Sequence, residues 1–345
     1  MDESRRNAHS QPKGSRDYDV VVVGGGPAGL FATFYAGLRS MRACLVDAAP
    51  QLGGQLAALY PEKWIYDVGG FPKVRSSVLV DQLVEQAGRF HADMRVGTQV
   101  LDVADKGDGF SLRLSDGEEL RARGVIIAAG LGSFRPKRLP ALGLEKWEGR
   151  GLAYAVGRLE NLRDKRVVMA GGGDTAVDWA LMAVGVASEV VLVHRRDEFR
   201  AHEESVRALK SSPVRLKLSS EVVGAEGDDL LERVHIQNKV TGEVEVVPCD
   251  RLLGFLGFQA QLGPIAQWGL EMDRNAIRTD HMGQTSRRRV YAVGDIASYP
   301  GKFKLIAIAF SEAAMAVSHL KTLLEPKAAL QPAHSSGMDL DGSVR

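Results

Sequence analysis

The sequence predicts an α/β fold in which one strand–helix–strand design is used twice. The first copy contains DYDVVVVGGGPAG and the second contains KRVVMAGGGDTA. In each copy a strand-length apolar run leads into a glycine-rich turn, then a helix with apolar periodicity and a second apolar strand. The spacing agrees, since Asp47 lies 23 positions after Gly24 and His194 lies 23 positions after Gly171. We therefore expect two similar domains, which a chain of 345 residues can accommodate.

Each copy is followed by a segment in which apolar and polar residues alternate as in a β-strand. Residues 110–130 alternate around a turn at Asp116-Gly117, and residues 231–258 alternate around a turn at Thr241-Gly242. Both segments end in an apolar run that is typical of a buried strand. The predicted fold class is therefore α/β, with two Rossmann-like three-layer ββα domains, each a parallel sheet with a β-meander.

The first glycine turn has the GxGxxG spacing of a dinucleotide-binding loop, with Gly24, Gly26 and Gly29 at the motif positions. The first glycine makes the tight turn, the second lets the backbone approach a pyrophosphate, and the third permits close packing of helix on strand. The N–H groups at the start of the helix then bind phosphate. Asp47 ends the next strand, where a carboxylate accepts hydrogen bonds from ribose hydroxyls and repels a 2′-phosphate. This turn is expected to bind FAD or NAD.

The second glycine turn has the GxGxxA variant, with Gly171, Gly173 and Ala176. Its second strand ends in His194-Arg195-Arg196 instead of an acid. Two guanidinium groups at this point would bind a 2′-phosphate through charge-assisted hydrogen bonds. Solvated surface charge is the alternative for these arginines, but their register with the glycine turn favours the phosphate. This turn is expected to bind NADPH.

A third motif, YAVGDIA, places Asp295 at the end of a strand and the start of a helix. There the carboxylate can accept hydrogen bonds from a ribitol hydroxyl while the helix N-terminus faces a flavin pyrophosphate. A role as N-cap is compatible with this. One acid-tipped and one arginine-tipped dinucleotide fold together indicate a pyridine-nucleotide flavoprotein, with FAD and NADPH as cofactors.

With these motifs the sequence resembles the thioredoxin-reductase-like family of ferredoxin–NADP reductases, from about residue 17 to residue 336. The resemblance is carried by GGGPAG, LGGQLAALYPEKWIYDVGGFP, GGGDTAVDWAL, HRRDEFRAHE, YAVGDIASYPGKFKLIAIAFSEAAMAV and PAHSS. Thioredoxin reductases have a CxxC before the second glycine motif, whereas residues 152–166 here, LAYAVGRLENLRDKR, contain no cysteine. Because disulfide exchange requires thiolates, electrons are expected to leave the flavin directly for a one-electron carrier, ferredoxin or flavodoxin.

The resemblance also implies which residues contact the cofactors. Positions that match flavin contacts are Gly24, Gly26, Ala28, Gly29, Asp47, Gln55, Tyr60, Val100, Phe134, Asp295 and Ser336. Positions in the NADPH motifs are Gly171, Gly173, Asp174, Thr175, Arg195, Arg196 and Arg200. Tyr60 and His334 would cover the two faces of the flavin ring, with Ser335 beside it near N5. Since this tail reaches the flavin of the partner subunit in the family, a homodimer is implied.

The domain expectations follow from these motifs. Residues 1–16 are polar and are expected to form a disordered leader. Residues 17–132 and 261–345 would form the FAD-binding domain, and residues 133–260 the NADPH-binding domain. The expected reaction is hydride transfer between NADPH and flavin N5, followed by one-electron transfers between FAD and ferredoxin or flavodoxin. Before hydride transfer, a rotation of the domains about crossovers near Gly132 and Gln259 would bring the nicotinamide to the flavin. No residue is assigned as a general acid or base.

Net charge and cysteine content limit the classes of partner and site that the protein is expected to have. A formal net charge of +1 supports neither nucleic-acid nor membrane binding, and a cytoplasmic location is the default expectation. Cys44 and Cys249 stand apart without metal-ligand spacing, so both are expected to be buried apolar residues.

Candidate cations for docking an acidic ferredoxin are Arg135, Lys137, Arg138, Arg287, Arg288, Arg289, Lys302 and Lys304. The alternative functions are an NADPH oxidase or quinone diaphorase, and a redox-sensing NADPH-binding flavoprotein.

Overall fold

The structure, a computed structural model, describes residues 17–332, apart from the side chains of residues 133–135 and 258–260. Up to residue 130 its helices and strands are β1 (Asp17–Val23), α1 (Pro27–Leu38), β2 (Ala43–Val46), α2 (Gly54–Leu59), β3 (Trp64–Ile65), β4 (Val74–Arg75), α3 (Ser76–Gly88), β5 (Asp93–Arg95), β6 (Val100–Lys106), β7 (Gly109–Leu114) and β8 (Glu119–Ile127).

The helices and strands after residue 130 are β9 (Ser133–Pro136), β10 (Leu152–Ala153), β11 (Arg166–Gly171), α4 (Asp174–Ala183), β12 (Glu189–Val193), α5 (Glu203–Lys210), β13 (Arg215–Lys217), β14 (Ser220–Gly227), β15 (Leu231–Asn238), β16 (Val244–Pro248), β17 (Arg251–Phe255), β18 (Phe258–Gln261), β19 (Met272–Asp273), β20 (Ala276–Arg278), β21 (Val290–Ala292), β22 (Ala297–Ser298) and α6 (Ile306–Leu324). The expected leader and the predicted tail contacts His334, Ser335 and Ser336 lie outside the described residues.

The chain divides into two compact units. The first comprises the described residues of 1–54, 82–130 and 263–345, and the second comprises residues 55–81 and 131–262. Residues 55–81 are expected in the FAD-binding domain from their place in the sequence, whereas the structure groups them with the second unit. Two side-chain contacts join these residues to the rest of the second unit. Lys63 Nζ lies 2.9 Å from Asp178 Oδ2, and the Thr175 hydroxyl donates to the Tyr60 oxygen at 3.4 Å.

The first unit is built around a parallel sheet with strand order β5-β2-β1-β8-β21. The first half of β8 also pairs with β7, which pairs with β6, so the meander grows out of the same sheet. Val20, Val21 and Val22 of β1 are fully buried, as expected for a parallel strand covered on both faces. Helix α6 approaches β8 at Gly124, where a Cβ would lie 2.5 Å from the Leu320 side chain.

The second unit repeats this architecture with the parallel order β10-β17-β11-β12-β13 and a separate antiparallel meander β14-β15-β16. Alternate residues of β11 face opposite layers. Val167 and Met169 lie in the core that includes residues of α4, and Val168 lies in the core that includes Val234 of the meander. Helix, sheet and meander therefore form three layers, which confirms the predicted fold class.

Helix α6 passes a simple test for a membrane span. It has 19 residues and is apolar enough by composition to cross a bilayer. Helices that form the core of soluble proteins pass the same test, and α6 buries Ala313, Ala316 and Val317 inside the fold. It packs against α1, where the rings of Phe31 and Phe310 lie 4.8 Å apart between centroids. The helix therefore has the packing of a core helix.

Candidate cofactor sites

The first glycine turn connects β1 to α1 and has one open position. A Cβ on Gly24 would lie 2.4 Å from the Ala128 carbonyl oxygen, and one on Gly29 would lie 1.8 Å from the Gly24 oxygen. Neither position has room for a side chain. A Cβ on Gly26, in contrast, would meet nothing closer than Gly54 Cα at 3.9 Å. The second glycine of the motif therefore faces the open space that a pyrophosphate would need.

Helix α1 begins at this turn with its first amide groups unclaimed by side chains. Gly26 is the extended N-cap residue, no side chain caps the helix, and Pro27 occupies the first helical position. Proline suits that position because its missing N–H would be unpaired there in any case. The first turn contains no acidic residue. Its remaining N–H groups and the positive end of the helix dipole can therefore bind an anion.

Asp47 stands beside this turn at the end of β2. Its carboxylate accepts hydrogen bonds from the backbone N–H groups of Gly25 and of Ala49, the latter at 2.7 Å. Burial raises the pKa of Asp47, and the two backbone hydrogen bonds oppose that rise. The Thr98 amide donates to the Asp47 carbonyl oxygen at 3.0 Å, so the start of β6 at Val100 lies at the same edge. The carboxylate retains further lone pairs for ribose hydroxyls.

The segment Leu52–Gly54 packs against the first glycine turn. Its motif carries part of the family resemblance, but no role is predicted for Gly53 or Gly54. The Gly53 amide donates to the Gly25 carbonyl oxygen at 2.8 Å. Gly54 has φ +55°, and a Cβ there would lie 2.9 Å from Gly26 Cα. Two adjacent glycines after a strand were the available signal. Gln55, a predicted flavin contact, follows at the second position of α2.

Asp295 lies in a short 3₁₀ helix, Gly294–Ile296, directly after β21. The sequence analysis expected a helix to start here, but the long helix α6 begins only at Ile306. The reason is that Ala297 turns into β22 and pairs with β20. Gly294 has φ +76°, and a Cβ there would lie 3.1 Å from the Ala28 Cβ. The structure therefore brings the Asp295 turn against the first turn of α1.

The second glycine turn resembles the first, since its first glycine is tightly packed and its second faces open space. A Cβ on Gly171 would lie 2.5 Å from the Phe255 oxygen and 2.8 Å from the Ala176 Cβ, while one on Gly173 would meet nothing within 4 Å. The open position is again the second glycine. Asp174 begins α4, and its carboxylate accepts a hydrogen bond from the His202 amide at 2.9 Å.

The arginines that follow β12 are folded against this turn. Arg195, Arg196 and Arg200 are exposed, and within residues 17–332 none of the three forms an ion pair. The Arg200 amide donates to the Gly172 oxygen at 2.7 Å. A Cβ on Gly172 would lie 2.1 Å from the His194 ring, so this histidine packs directly beneath the turn. Three exposed guanidinium groups without an ion pair among the described residues therefore belong to a loop whose backbone is hydrogen-bonded to the glycine turn.

His194 is buried, and its pKa lies below the ordinary value of a histidine. Burial lowers its pKa, and the positive charges of Arg196, Arg195 and Arg200 lower it further, against a hydrogen bond to the Glu198 carbonyl oxygen. Its ring stacks on Phe199 with 5.3 Å between centroids. The histidine is therefore a packing group, and the positive charge of this loop comes from the arginines.

Tyr60 is half-buried, and its oxygen accepts a hydrogen bond from Thr175 in the first turn of α4. Lys63 Nζ lies 5.6 Å from the centre of its ring. The predicted contact between Tyr60 and the flavin remains a prediction. Phe134 lies in β9, whose backbone pairs with β18, and its side chain is outside the described residues.

Both cysteines are buried, as the sequence analysis predicted. Cys44 lies in β2 and Cys249 precedes β17, and neither side chain is exposed. Burial raises the pKa of Cys249 to about 12. The Cys249 thiol therefore stays protonated at neutral pH and is not a nucleophile for disulfide exchange.

The two turns fit two different dinucleotides. The first turn combines a free helix N-terminus and an open glycine with a carboxylate, which suits the unphosphorylated ribose of FAD. The second combines an open glycine with exposed guanidinium groups, which suit the 2′-phosphate of NADPH. The strand ends are equivalent in position and opposite in charge.

Comparisons with known proteins agree with this geometry. The profile of the family described as pyridine nucleotide-disulphide oxidoreductase matches residues 18–313. The ferredoxin–NADP reductase of Geobacillus thermodenitrificans is 45% identical over 324 residues, which are 93% of this chain and 97% of that protein. Ferredoxin–NADP reductase 2 of Chloroherpeton thalassium is 44% identical over 323 residues, 92% of this chain and 94% of that protein.

Solved structures share the fold. The thioredoxin reductase of T. acidophilum superposes with a TM-score of 0.77 at 26% identity, covering 90% of this chain and 99% of that one. That of Lactococcus lactis superposes with a TM-score of 0.74 at 26% identity, covering 89% and 99%. The chain belongs to the pyridine nucleotide-disulphide oxidoreductases and, within them, to the thioredoxin-reductase-like family of ferredoxin–NADP reductases.

Proposed function

We propose that this protein is a ferredoxin–NADP reductase that holds FAD in its first unit and binds NADPH in its second. The observation that carries the proposal is the opposite charge at two equivalent strand ends, Asp47 in one unit and Arg195-Arg196 in the other. Curated relatives that are 44–45% identical over more than nine tenths of this chain carry the name ferredoxin–NADP reductase. When bound, FAD accepts a hydride from NADPH and releases the two electrons singly.

The residues of the first unit bind and orient FAD. The N–H groups of the turn from Gly24 to Gly29 would bind its pyrophosphate, and Asp47 would accept hydrogen bonds from its ribose. Asp295 accepts a hydrogen bond from the ribitol chain. Val100 is a further proposed flavin contact in this unit. Tyr60, Gln55 and Phe134 would also contact the flavin by the family resemblance, although the structure groups them with the second unit.

The residues of the second unit bind NADPH. The turn from Gly171 to Thr175 holds the pyrophosphate, and Arg195, Arg196 and Arg200 hold the 2′-phosphate. Asp174 takes part by holding the first turn of α4 to the His202 amide.

We also infer a cytoplasmic homodimer in which His334, Ser335 and Ser336 of one subunit lie at the flavin of the other. Sedimentation velocity of the holoenzyme tests the dimer.

Stopped-flow absorbance tests the proposed function directly. The yellow holoenzyme is mixed with NADPH and then with ferredoxin. Fast bleaching by NADPH and fast reoxidation by ferredoxin are the expected results. Reoxidation by oxygen or quinone alone would indicate an oxidase or diaphorase, and slow turnover with every acceptor would indicate a sensor. Failure of both NADPH and NADH to bleach the flavin would refute the nucleotide assignment of the second turn.

Several basic residues considered for ferredoxin docking are already engaged in the fold. Lys302 pairs with Glu312 inside the first unit. Arg287 donates to the carbonyl oxygens of Val103 and Trp268, each at 3.0 Å. Arg289 donates to Asp108 O at 2.7 Å and also pairs with the Asp108 carboxylate. These three are therefore removed from the docking set. Lys137, Arg138, Arg288 and Lys304 remain exposed.

Reversing the charge of Lys304 and Arg288 is expected to weaken ferredoxin reduction. The double variant Lys304→Glu with Arg288→Glu should raise the KM for ferredoxin roughly tenfold at low salt, because it removes attraction to an acidic partner. The wild-type rate should fall as ionic strength rises. Reduction of the uncharged quinone menadione serves as the internal control and should be unchanged. Lys210→Glu, on the exposed end of α5, is the control for charge reversal outside the docking set, and it should leave the KM for ferredoxin unchanged. A ferredoxin rate independent of salt would contradict this docking surface.

Alkylation of the native protein is expected to leave ferredoxin reduction unchanged. Iodoacetamide at pH 8 reacts with thiolates, and the buried Cys249 thiol has its pKa raised to about 12. Its thiolate fraction stays negligible until the pH approaches that value. Mass spectrometry measures the label, and protein unfolded in urea serves as the control in which both cysteines react. Rapid labelling of the folded enzyme with loss of activity would contradict the burial of these thiols.

A further inference from the structure

Glu312, on α6, is a buried carboxylate that the proposed mechanism does not use. It is 2% exposed. One oxygen accepts the Gly294 amide at 2.7 Å. The other accepts the Tyr299 hydroxyl at 2.6 Å and also contacts Lys302 Nζ. A single side chain thus holds three segments together: the 3₁₀ turn with Asp295, the loop at residues 299–302, and α6.

The energetics of this cluster make it sensitive to change. The side chains of Lys302 and Glu312 are 8% and 3% exposed, so both charges have left water. A buried ion pair is favourable only when each charge is matched and hydrogen-bonded, and removal of one partner is strongly destabilising. Burial and the hydrogen bond to Glu312 raise the pKa of Tyr299 to about 12, so its hydroxyl remains a donor at all ordinary pH values. The carboxylate is therefore matched by three donors.

The position of the cluster connects it to the first glycine turn. Gly294 lies between α1 and α6, since a Cβ there would be 3.1 Å from the Ala28 Cβ and 3.8 Å from the Ala309 Cβ. The hydrogen bond to Glu312 fixes the amide of Gly294, which directly precedes Asp295. A displacement of that amide would move the Asp295 carboxylate, and it would also disturb the contact of Gly294 with the start of α1.

We propose that Glu312 and Lys302 are positioning residues for FAD, which set the Gly294–Ile296 turn and the Asp295 carboxylate against the first turn of α1. The inference rests on the proposed function, in which Asp295 and this turn of α1 contact FAD. Lys302 has a second effect, because its charge offsets that of Glu312 near a site for an anionic pyrophosphate. The two residues act through the turn and do not touch the reacting atoms.

The test measures FAD affinity of the holoenzyme from the fluorescence of FAD released on dilution. Glu312→Gln leaves Lys302 buried without its counter-charge, and it is expected to raise the FAD dissociation constant on the order of 30-fold. Lys302→Met, which keeps the length of the chain, should act in the same direction. The double variant should lose less than the two single variants combined, because it leaves no unpaired charge.

A matched control separates positioning from general stability. Tyr291 is fully buried on β21, and its hydroxyl lies 3.2 Å from His319 Nδ1. Tyr291→Phe should lower the melting temperature of the protein while FAD affinity and the visible flavin spectrum stay unchanged. Glu312→Gln should change both affinity and spectrum.

The possible outcomes are distinct. The positioning role would be overturned if Glu312→Gln kept the wild-type FAD affinity. It would also be overturned if Tyr291→Phe lost as much FAD affinity per degree of lowered melting temperature as Glu312→Gln does. If Glu312→Gln does not fold, the affinity of Lys302→Met decides by the same criterion. A wild-type protein that binds no FAD would overturn the proposed function itself, and a yellow wild type that is reduced by NADPH separates the two failures.

Discussion

The variant Gly29→Ala is expected to be a colourless protein that binds no FAD. The added Cβ would lie 1.8 Å from the Gly24 carbonyl oxygen and 2.9 Å from the Gly24 carbonyl carbon. Both are backbone atoms, so no side-chain rotation can relieve the overlap. Helix α1 would have to move away from β1, together with the amides that we propose bind the phosphates. Overpacking of this kind costs about 3 kcal/mol or more.

Gly26→Ala is the matched control for this prediction. Its Cβ would meet nothing closer than 3.9 Å, so the fold should keep its melting temperature. The methyl group would occupy the open space beside the turn, and FAD affinity should fall roughly tenfold, about 1.4 kcal/mol. Visible absorbance of the purified proteins and their thermal unfolding measure both effects. A yellow Gly29→Ala protein with wild-type stability would show that the turn is not packed as described.

The parts of the molecule that the sequence predicted are those with local signals. The two glycine turns, the charges at Asp47 and Arg195, and the meander turns all lie within short segments whose residue types demand one backbone geometry. The equivalence of Asp47 and His194 could be predicted from spacing alone. In the structure both lie beside the middle glycine of their turn, Asp47 as a hydrogen-bond acceptor from Gly25 and His194 as a ring packed on Gly172.

The cluster around Glu312 could not be predicted, because its members are distant along the chain. A glutamate in the helix segment AFSEAAM has no local feature that indicates burial, since helices carry glutamate on exposed faces as well. The segment KFK offers two lysines of equal charge. Only the fold shows that Lys302 points inward to Glu312 while Lys304 is exposed.

The grouping of residues 55–81 also lies beyond sequence patterns. By chain order they follow the first glycine turn, and nothing local indicates a partner for Lys63 or Tyr60. In the structure they belong to the second unit, where Lys63 contacts Asp178 and Tyr60 contacts Thr175. Pairings over more than 100 positions are set by packing of whole elements, which a single sequence does not display.

Replacing Arg195 and Arg196 together by alanine is expected to raise the KM for NADPH on the order of 100-fold while leaving the KM for NADH within about threefold. Each hydrogen bond to a charged group contributes about 1.5–3 kcal/mol, so loss of two guanidinium groups costs about 3 kcal/mol or more. The effect should be confined to KM, because the 2′-phosphate lies outside the reacting part of the nucleotide. Steady-state kinetics with both nucleotides at fixed ferredoxin measure the ratio.

The structure makes this prediction sharper than the sequence did. Both side chains are exposed and have no ion pair among the residues described, so their loss leaves no buried charge and should not unfold the protein. Arg158→Ala, another exposed arginine of the second unit, controls for a general change in charge. High salt should weaken NADPH binding to the wild type more than to the double variant, since screening acts on the same two charges. An unchanged NADPH-to-NADH ratio in the double variant would refute the 2′-phosphate site, and with it the argument that opposite charges at equivalent strand ends select the two nucleotides.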